Sequence, residues 1–272
     1  MTRPIGVFDS GLGGLTVAAA VRRRLPEEAV VYLGDTARVP YGTRSRATVI
    51  RYARSCARKL VAHDIKLLVV ACNTVSAVAL DMLRVELDIP VLGVIGPGAR
   101  AGVAASRRGR LGVIATAGTV GSGAYTRAVA AEDTRAEVFG QAAPLLVPLV
   151  EDGWLTGEVP RLCCERYLAP LAAREIDALI LGCTHYPLLR GTVEEVLEGF
   201  QGETVPVVDS AEATAEELVR LMDERELRAD HSHGSNGRLT LLVTDLPGRF
   251  AEVASRFLGA EVASDDVTLV DL

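Results

Sequence analysis

The segment that most restricts the fold of this chain is residues 67–74, Leu-Leu-Val-Val-Ala-Cys-Asn-Thr. Its four leading apolar residues are typical of a strand that is buried on both faces of a parallel sheet. A helical pattern follows from Val75 onward, and Asn73 or Thr74 is expected to cap that helix. Cys72 is therefore predicted at the carboxyl end of a central strand, beside a helix N-terminus. Open α/β sheets bind ligands at this edge, and a helix N-terminus lowers the pKa of a thiol.

A second copy of this pattern occurs in residues 178–185, Ala-Leu-Ile-Leu-Gly-Cys-Thr-His. Three landmarks recur in the same order: a glycine in an apolar strand, a Cys-polar-polar strand end, and a Pro-Val strand (Gly6, Cys72 and 89–94 in one copy; Gly112, Cys183 and 205–210 in the other). This ordered correspondence predicts a duplicated α/β domain. Two related domains that face each other would each contribute one cysteine to a common cleft.

The rest of the chain alternates apolar strands with helical patterns, which is typical of a parallel α/β sheet. We predict an α/β fold of two pseudo-symmetric parallel-sheet domains that face a shared cleft. Residues 1–96 plus 207–272 are predicted to form the first domain, with Cys72, and residues 97–206 the second, with Cys183. Residues 95–98, Ile-Gly-Pro-Gly, are predicted as the crossover, and the C-terminal strands are expected to return to the first domain.

A glycine-rich turn, Ser-Gly-Leu-Gly-Gly at residues 10–14, separates the first predicted strand from its helix. It lacks the third glycine of the dinucleotide fingerprint and the Gly-Lys-Ser/Thr of a P-loop. We interpret it as a backbone cradle for a small anion, with a simple tight turn as the alternative. Asp9 and Ser10 lie at the functional end of the strand, where a structural explanation is weaker.

Composition excludes several classes of protein and site. The net charge of −6 argues against a nucleic-acid-binding surface, and no apolar run reaches the roughly 18 residues of a membrane span. The first strand begins directly after four residues, which leaves no room for a signal peptide. Five cysteines without zinc-site spacing indicate free thiols in a reducing compartment, so we expect a cytoplasmic protein. His231 and His233 are interpreted as solvated, and no metal site is predicted.

Two matched thiols across a cleft suit proton transfer at both faces of one carbon atom. One thiolate removes a proton while the other thiol delivers one. A free thiol titrates near ~8.5, so one partner must have a lowered pKa. A helix N-terminus or an adjacent histidine can lower it, and His185 follows Cys183 by two residues.

The chain offers no side chain for the common cofactor of such chemistry. Pyridoxal enzymes need a Schiff-base lysine, and only Lys59 and Lys66 exist here, one in mid-helix and one at the far end of a strand. We therefore expect no cofactor. Neutral donors near the strand ends suit a carboxylate and an ammonium held by hydrogen bonds; they are Ser10, Tyr41, Gly42, Asn73, Thr74 and Thr184.

Six motifs together carry a resemblance to a known family that covers nearly the whole chain. They are Gly-Val-Phe-Asp9-Ser10-Gly-Leu-Gly-Gly14, Asp35 with Pro40-Tyr41-Gly42, Ala71-Cys72-Asn73-Thr74, Thr116-Ala-Gly-Thr119, Glu151-Asp-Gly, and Gly182-Cys183-Thr184-His185-Tyr186-Pro187. The sequence resembles the glutamate racemases of the cofactor-independent aspartate/glutamate racemase family. The family interconverts amino-acid enantiomers and makes D-glutamate for bacterial peptidoglycan.

The resemblance implies a role for each matching position. Cys72 and Cys183 become the two acid/base residues, with Asp9 assisting the first, and Glu151 and His185 the second. The substrate is held by residues of the strand ends and of one loop: Asp9, Ser10, Tyr41, Gly42, Asn73, Thr74, Thr184 and His185. Glutamate is the expected partner, membranes and nucleic acid are not, and a homodimer is expected.

Other functions fit parts of the pattern. Racemisation of another amino acid, such as aspartate, requires the same residues. A non-catalytic regulator, such as the family members that bind DNA gyrase, needs neither cysteine. A thiol hydrolase with Cys183 and His185 leaves Cys72 unexplained.

Overall fold

Two all-parallel sheets organise the part of the chain that the computed structural model describes, residues 3–229 and 237–272. The first sheet contains β1 (Ile5–Asp9), β2 (Val30–Gly34), β3 (Leu67–Val70), β4 (Val91–Gly93), β9 (Leu239–Val243) and β10 (Val267–Leu269), in the order β10-β9-β2-β1-β3-β4. The second contains β5 (Arg110–Ala115), β6 (Glu137–Ala142), β7 (Ala178–Gly182) and β8 (Val207–Asp209), in the order β6-β5-β7-β8. The predicted α/β fold with two parallel-sheet domains is confirmed.

Helices connect successive strands, as parallel pairing requires. They are α1 (Leu15–Arg24), α2 (Arg46–Val61), α3 (Asn73–Glu86), α4 (Ile95–Ala105), α5 (Ala117–Gly121), α6 (Ala124–Glu132), α7 (Leu146–Glu151), α8 (Glu158–Ala172), α9 (Arg190–Gln201), α10 (Ser210–Glu224) and α11 (Pro247–Leu258). One continuous cluster of buried apolar side chains includes Val69 of β3 and Leu181 of β7, so the two domains share a core. Within the described ranges, no helix is long and apolar enough to cross a membrane.

The two sheets repeat one arrangement. The order β2-β1-β3-β4 becomes β6-β5-β7-β8 when each strand number is raised by four. Gly6 pairs with Leu68 in the first sheet, and Gly112 pairs with Leu179 in the second. Each cysteine follows that partner by four residues, so the two thiols occupy equivalent places in the register. The predicted pseudo-symmetry is confirmed.

Both glycines face the same neighbour in their respective domains. A Cβ added at Gly6 would lie 2.6 Å from Cδ1 of Ile65, and one at Gly112 would lie 2.6 Å from Cδ1 of Ile176. Because real Cβ atoms do not approach that closely, an isoleucine packed over the strand explains why both positions are glycine. The duplication thus extends to side-chain packing.

One predicted domain boundary is wrong. We assigned residues 207–272 to the first domain, but β8 pairs with β7 in the second sheet. We propose that the second domain ends after Asp209. The following helix, α10, lies between the domains: its Glu216 bonds Arg24 of α1, and its Glu217 bonds Arg100 of α4. The predicted return of the chain to the first sheet is confirmed, because β9 pairs with β2 and β10 with β9.

Residues 95–98 form the first turn of α4 rather than a crossover. Pro97 is tolerated there because the first N–H groups of a helix have no intrahelical acceptor. The histidines at 231 and 233 lie outside the described residues.

Candidate active site

A cavity of about 410 Å³ opens where the carboxyl ends of the strands of both domains meet. Each of the residues predicted for the site lines it: Asp9, Ser10, Tyr41, Gly42, Cys72, Asn73, Thr74, Glu151, Cys183, Thr184 and His185. Residues that follow β1 and β3 of the first sheet and β5 and β7 of the second all line this cavity. The cavity can therefore place groups of the first domain on one side of a small ligand and groups of the second domain on the other side.

Cys72 lies at the N-cap position of α3 and is 5% exposed. Its thiol donates to the hydroxyl oxygen of Ser10 at 3.3 Å. Burial, and then the negative charge of Asp9, raise the pKa of the Cys72 thiol to about 12, against the effect of Ser10 and of nearby backbone N–H groups. The expectation that the helix end lowers this pKa is therefore wrong, because burial outweighs the helix end.

Asp9 occupies the end of β1 and is 1% exposed. Its Oδ2 accepts a hydrogen bond from the backbone N–H of Gly11 at 3.0 Å, while Oδ1 is buried without a hydrogen-bond partner among the described residues. Burial raises the pKa of this carboxyl, and His185 and the backbone of the turn oppose the shift. The glycine-rich turn thus donates to the Asp9 carboxyl through the backbone of Gly11, and its role as a cradle for an external anion stays a prediction.

The second thiol has a different set of neighbours. Cys183 Sγ lies 3.8 Å from Nδ1 of His185, and Nε2 of His185 lies 3.0 Å from Oε1 of Glu151. Burial lowers the pKa of His185, but its hydrogen bonds to Cys183 and Glu151 prevail and raise that pKa to about 10. His185 therefore keeps its proton at neutral pH and provides a cationic neighbour for the Cys183 sulfur.

Helix α11 of the first domain packs against the Glu151–His185 pair beside Cys183. The ring of Phe257 meets the His185 ring edge-on, with centroids 5.6 Å apart. Nη1 of Arg256 donates to the carbonyl oxygen of Glu151 at 2.8 Å. Gly153 has φ of +81°, and a Cβ there would lie 2.9 Å from the Arg256 guanidinium, so this turn needs glycine for both reasons. The Glu151–His185 pair is thus held across the domain boundary.

The start of α3 supplies polar groups to the cavity without capping its own helix. Asn73 Oδ1 accepts from the hydroxyl of Tyr125 at 2.8 Å, and Thr74 Oγ1 lies 3.0 Å from Thr116 Oγ1. Both partners belong to the second domain. The predicted cap is wrong because these side chains bond across the cleft, and Cys72 occupies the cap position without a side-chain hydrogen bond to the backbone of the helix.

Tyr41 lines the cavity, but its hydroxyl donates to the buried carboxylate of Asp35. The same carboxylate accepts from Arg38 Nε at 2.6 Å and from Thr244 Oγ1 at 2.9 Å. Residues Tyr41–Thr43 form a 3-10 turn. Since the first N–H groups of a helical turn have no partner within it, the backbone of Tyr41 and Gly42 remains available to a ligand.

Several residues of the cavity were not predicted. Thr116 follows β5 at the place equivalent to Ser10 after β1, and the internal repeat was a signal for it. Val147 and Pro148 form an apolar wall on α7. Tyr125 reaches the cavity only through Asn73, and no local pattern marks it.

Comparisons with known proteins agree with this geometry. Residues 15–218 match the family model described as Asp/Glu/Hydantoin racemase. A glutamate racemase of Geobacter metallireducens is 48% identical over 99% of this chain and 97% of its own length, and one of Chlorobaculum tepidum is 46% identical over 99% and 96%.

Solved structures give the same result. A glutamate racemase isoform of Bacillus anthracis is 40% identical with a TM-score of 0.93, over 99% of this chain and 98% of that one. The Francisella tularensis glutamate racemase in complex with D-glutamate is 35% identical with a TM-score of 0.89, over the same shares. An aspartate racemase of Picrophilus torridus is 18% identical with a TM-score of 0.56, which shows the fold alone.

Proposed function

The chain belongs to the Asp/Glu/hydantoin racemase family, and from that premise we propose that it interconverts L-glutamate and D-glutamate without a cofactor. One observation of this chain carries the proposal. Two cysteine thiols, one from each domain of a repeated fold, line a single cavity, and each has its own ionisable neighbour, Asp9 for Cys72 and His185 for Cys183. A pure binding protein has no need for such a pair, and a thiol hydrolase has no need for the second thiol.

The reaction requires one proton to leave the α-carbon and another to arrive on the opposite face. One thiolate takes the α-proton as the C–H electron pair moves into the adjacent carboxylate, which leaves a planar carbon. The opposite thiol then gives its proton to the other face and becomes the thiolate. Atoms and charge balance, and the enzyme is left ready for the reverse reaction. Burial raises the pKa of the Cys72 thiol, so this thiol holds its proton at neutral pH and its thiolate, once formed, is a stronger base.

The groups around the thiols match the charges of an amino acid. Asp9 Oδ1, buried and without a partner among the described residues, suits the substrate ammonium. Hydroxyl, amide and backbone donors suit its carboxylates; they are contributed by Ser10, Tyr41, Gly42, Asn73, Thr74 and Thr184. His185, in contact with Cys183, adds a positive charge at neutral pH. We propose these residues as the binding set, with Asp9, Glu151 and His185 assisting the two thiols.

The role in the cell follows from the product. D-glutamate is a component of peptidoglycan, so we propose that the protein supplies this precursor in the cytoplasm. A homodimer is the proposed assembly.

Deuterium exchange tests the proposed function directly. Purified protein in D₂O should convert each enantiomer of glutamate into the other, with deuterium at the α-carbon of the product. L- and D-aspartate serve as matched controls and should react far more slowly. If aspartate reacts faster than glutamate, aspartate is the substrate. If neither amino acid exchanges its α-hydrogen, racemisation is refuted.

We predict that activity does not depend on any added group. Among the described residues, no three His, Cys, Asp or Glu side chains are grouped so as to hold a metal ion. Extensive dialysis against a chelator, with a reductant present to protect the thiols, should leave the racemisation rate unchanged. Activity that disappears and returns with a metal ion or pyridoxal phosphate would contradict this prediction.

We also predict that the two halves of the site favour different directions of reaction. Cys183 contacts a histidine that holds its proton, whereas Cys72 lies beside a carboxylate. The His185→Asn variant should therefore lower kcat more in one direction, and Asp9→Asn more in the other. Because the equilibrium constant between enantiomers is near one, KM must shift to compensate.

Initial rates with L- and D-glutamate, measured separately for each variant, check this. Asp152→Asn is a suitable control because it neutralises an exposed carboxylate next to Glu151. Equal loss of kcat in both directions for both variants would remove the argument for unlike thiol environments.

A further inference from the structure

Asn73 has one satisfied and one unsatisfied side-chain atom. The residue is 3% exposed and lines the cavity. Its Oδ1 accepts from Tyr125, while its Nδ2 is buried and has no hydrogen-bond partner among the described residues. A buried donor without an acceptor is costly, and such a group persists where a ligand completes the bond. The amide nitrogen is therefore the polar atom of Asn73 that is left for a ligand in the cavity.

Tyr125 is held firmly in place. It belongs to α6 of the second domain and is 4% exposed. A Cβ added at Gly182 would lie 2.9 Å from its Cε2, and one at Gly98 would lie 3.4 Å from its hydroxyl, so the ring fills the space that two glycines leave. Burial raises the pKa of this phenol, so the hydroxyl stays neutral and keeps the proton that it donates.

We propose that Tyr125 is a positioning residue for substrate binding, whose hydroxyl fixes the Asn73 amide so that Nδ2 faces a carboxylate of the substrate. An asparagine amide has two nearly isosteric orientations, and only one of them presents donors to an anion. The Tyr125 hydroxyl selects that orientation because it gives its proton to Oδ1. The inference rests on the proposed function, since it assumes an anionic amino acid in the cavity.

The arrangement couples the two domains. Asn73 starts a helix of the first domain, and Tyr125 belongs to the second domain. The Asn73 amide is therefore held with Nδ2 toward the cavity only where the two domains are in contact. Within each domain alone, neither residue has this function.

The Tyr125→Phe variant tests the proposal because it removes one oxygen atom and keeps the ring that fills the core. We expect KM for both enantiomers to rise roughly tenfold, since a hydrogen bond to a charged group is lost, while kcat changes less than about threefold. Tyr167→Phe is the matched control: it removes another buried hydroxyl, one that accepts from the backbone N–H of Leu145. That control should leave KM unchanged.

A double-mutant cycle separates positioning from a general effect on the fold. In an Asn73→Ala background, Tyr125→Phe should change KM less than about twofold, because the group that it orients is absent. Asn73→Asp provides an independent variant: it keeps an acceptor for Tyr125 but replaces the donors with a carboxylate oxygen, and KM should rise more than roughly tenfold.

Three results would overturn the proposal: an unchanged KM in Tyr125→Phe, an equally large effect of that change with and without Asn73, or wild-type binding by Asn73→Asp. Failure of the proposed function is a different observation, because wild-type protein would then show no turnover of glutamate. If the wild-type protein is active and Tyr125→Phe leaves KM unchanged, only the positioning role is refuted.

Discussion

Replacement of either cavity cysteine by alanine is expected to abolish the interconversion of L- and D-glutamate. Each thiol is the only proton carrier for one face of the α-carbon in the proposed mechanism, and a general acid or base typically contributes 10²–10⁴-fold to the rate. Cys72 and Cys183 are each 5% exposed, and loss of one sulfur atom at a cavity wall should leave the fold intact. Both single variants should therefore melt near the wild-type temperature and lack racemase activity.

Exchange with solvent makes this test sharper than a loss of activity. The remaining thiol can still remove and return a proton on its own face, so each variant should exchange the α-hydrogen of at most one enantiomer in D₂O. The two variants should differ in which enantiomer that is. Cys164→Ala, which removes a buried thiol of α8 outside the cavity, is the matched control. Near wild-type racemisation by either cavity variant would disprove the two-thiol mechanism.

A methyl group at Gly13 is expected to disable the site through the contact between domains. A Cβ at this position would lie 2.3 Å from Thr184 Oγ1 and 2.4 Å from His185 Nδ1. Gly13→Ala must therefore push His185 away from Cys183 or separate the two domains. We expect at least a roughly hundredfold loss of kcat, the scale of one acid/base contribution, and a loss of about 1–3 kcal/mol in unfolding free energy from overpacking.

Thermal unfolding and initial rates, measured on the same sample, check both effects. Gly199→Ala on α9 is the matched control, because a Cβ there meets nothing within 4 Å. That variant should be fully active and up to about 1 kcal/mol more stable, since alanine favours a helix over glycine. A Gly13→Ala protein with wild-type rates would show that the contact with Thr184 and His185 is unimportant.

The features that proved predictable from sequence are those written in local patterns. Buried parallel strands are continuous apolar runs, and their carboxyl ends share one edge, so Cys72 and Cys183 were placed correctly without knowledge of the contacts between domains. The boundary near residue 207 was missed because a three-residue strand such as β8 looks the same in either sheet. The domain to which β8 belongs is set by the strand with which it pairs, and strand pairing cannot be read from the residues of β8 alone.

The remaining errors have one physical origin. A helix N-terminus argues for a lowered thiol pKa, yet the pKa of Cys72 is raised by burial and by Asp9, which is distant in sequence. Asn73 looks like a helix cap, yet it bonds Tyr125 of the other domain. Phe257 reaches His185 only through the packing of α11. Each of these effects depends on which surfaces meet when the two domains pack, and local sequence patterns do not reveal those contacts.

The position of β9 and β10 at the end of the chain has a consequence for synthesis. Every strand of the second sheet is translated before Leu239, so that sheet can form while the ribosome is still making the first domain's last strands. Until β9 arrives, β2 remains an open edge with unpaired backbone groups, and such edges are prone to join other chains. The first half of the nascent chain therefore keeps an open sheet edge at β2 until the segment that is made last closes it.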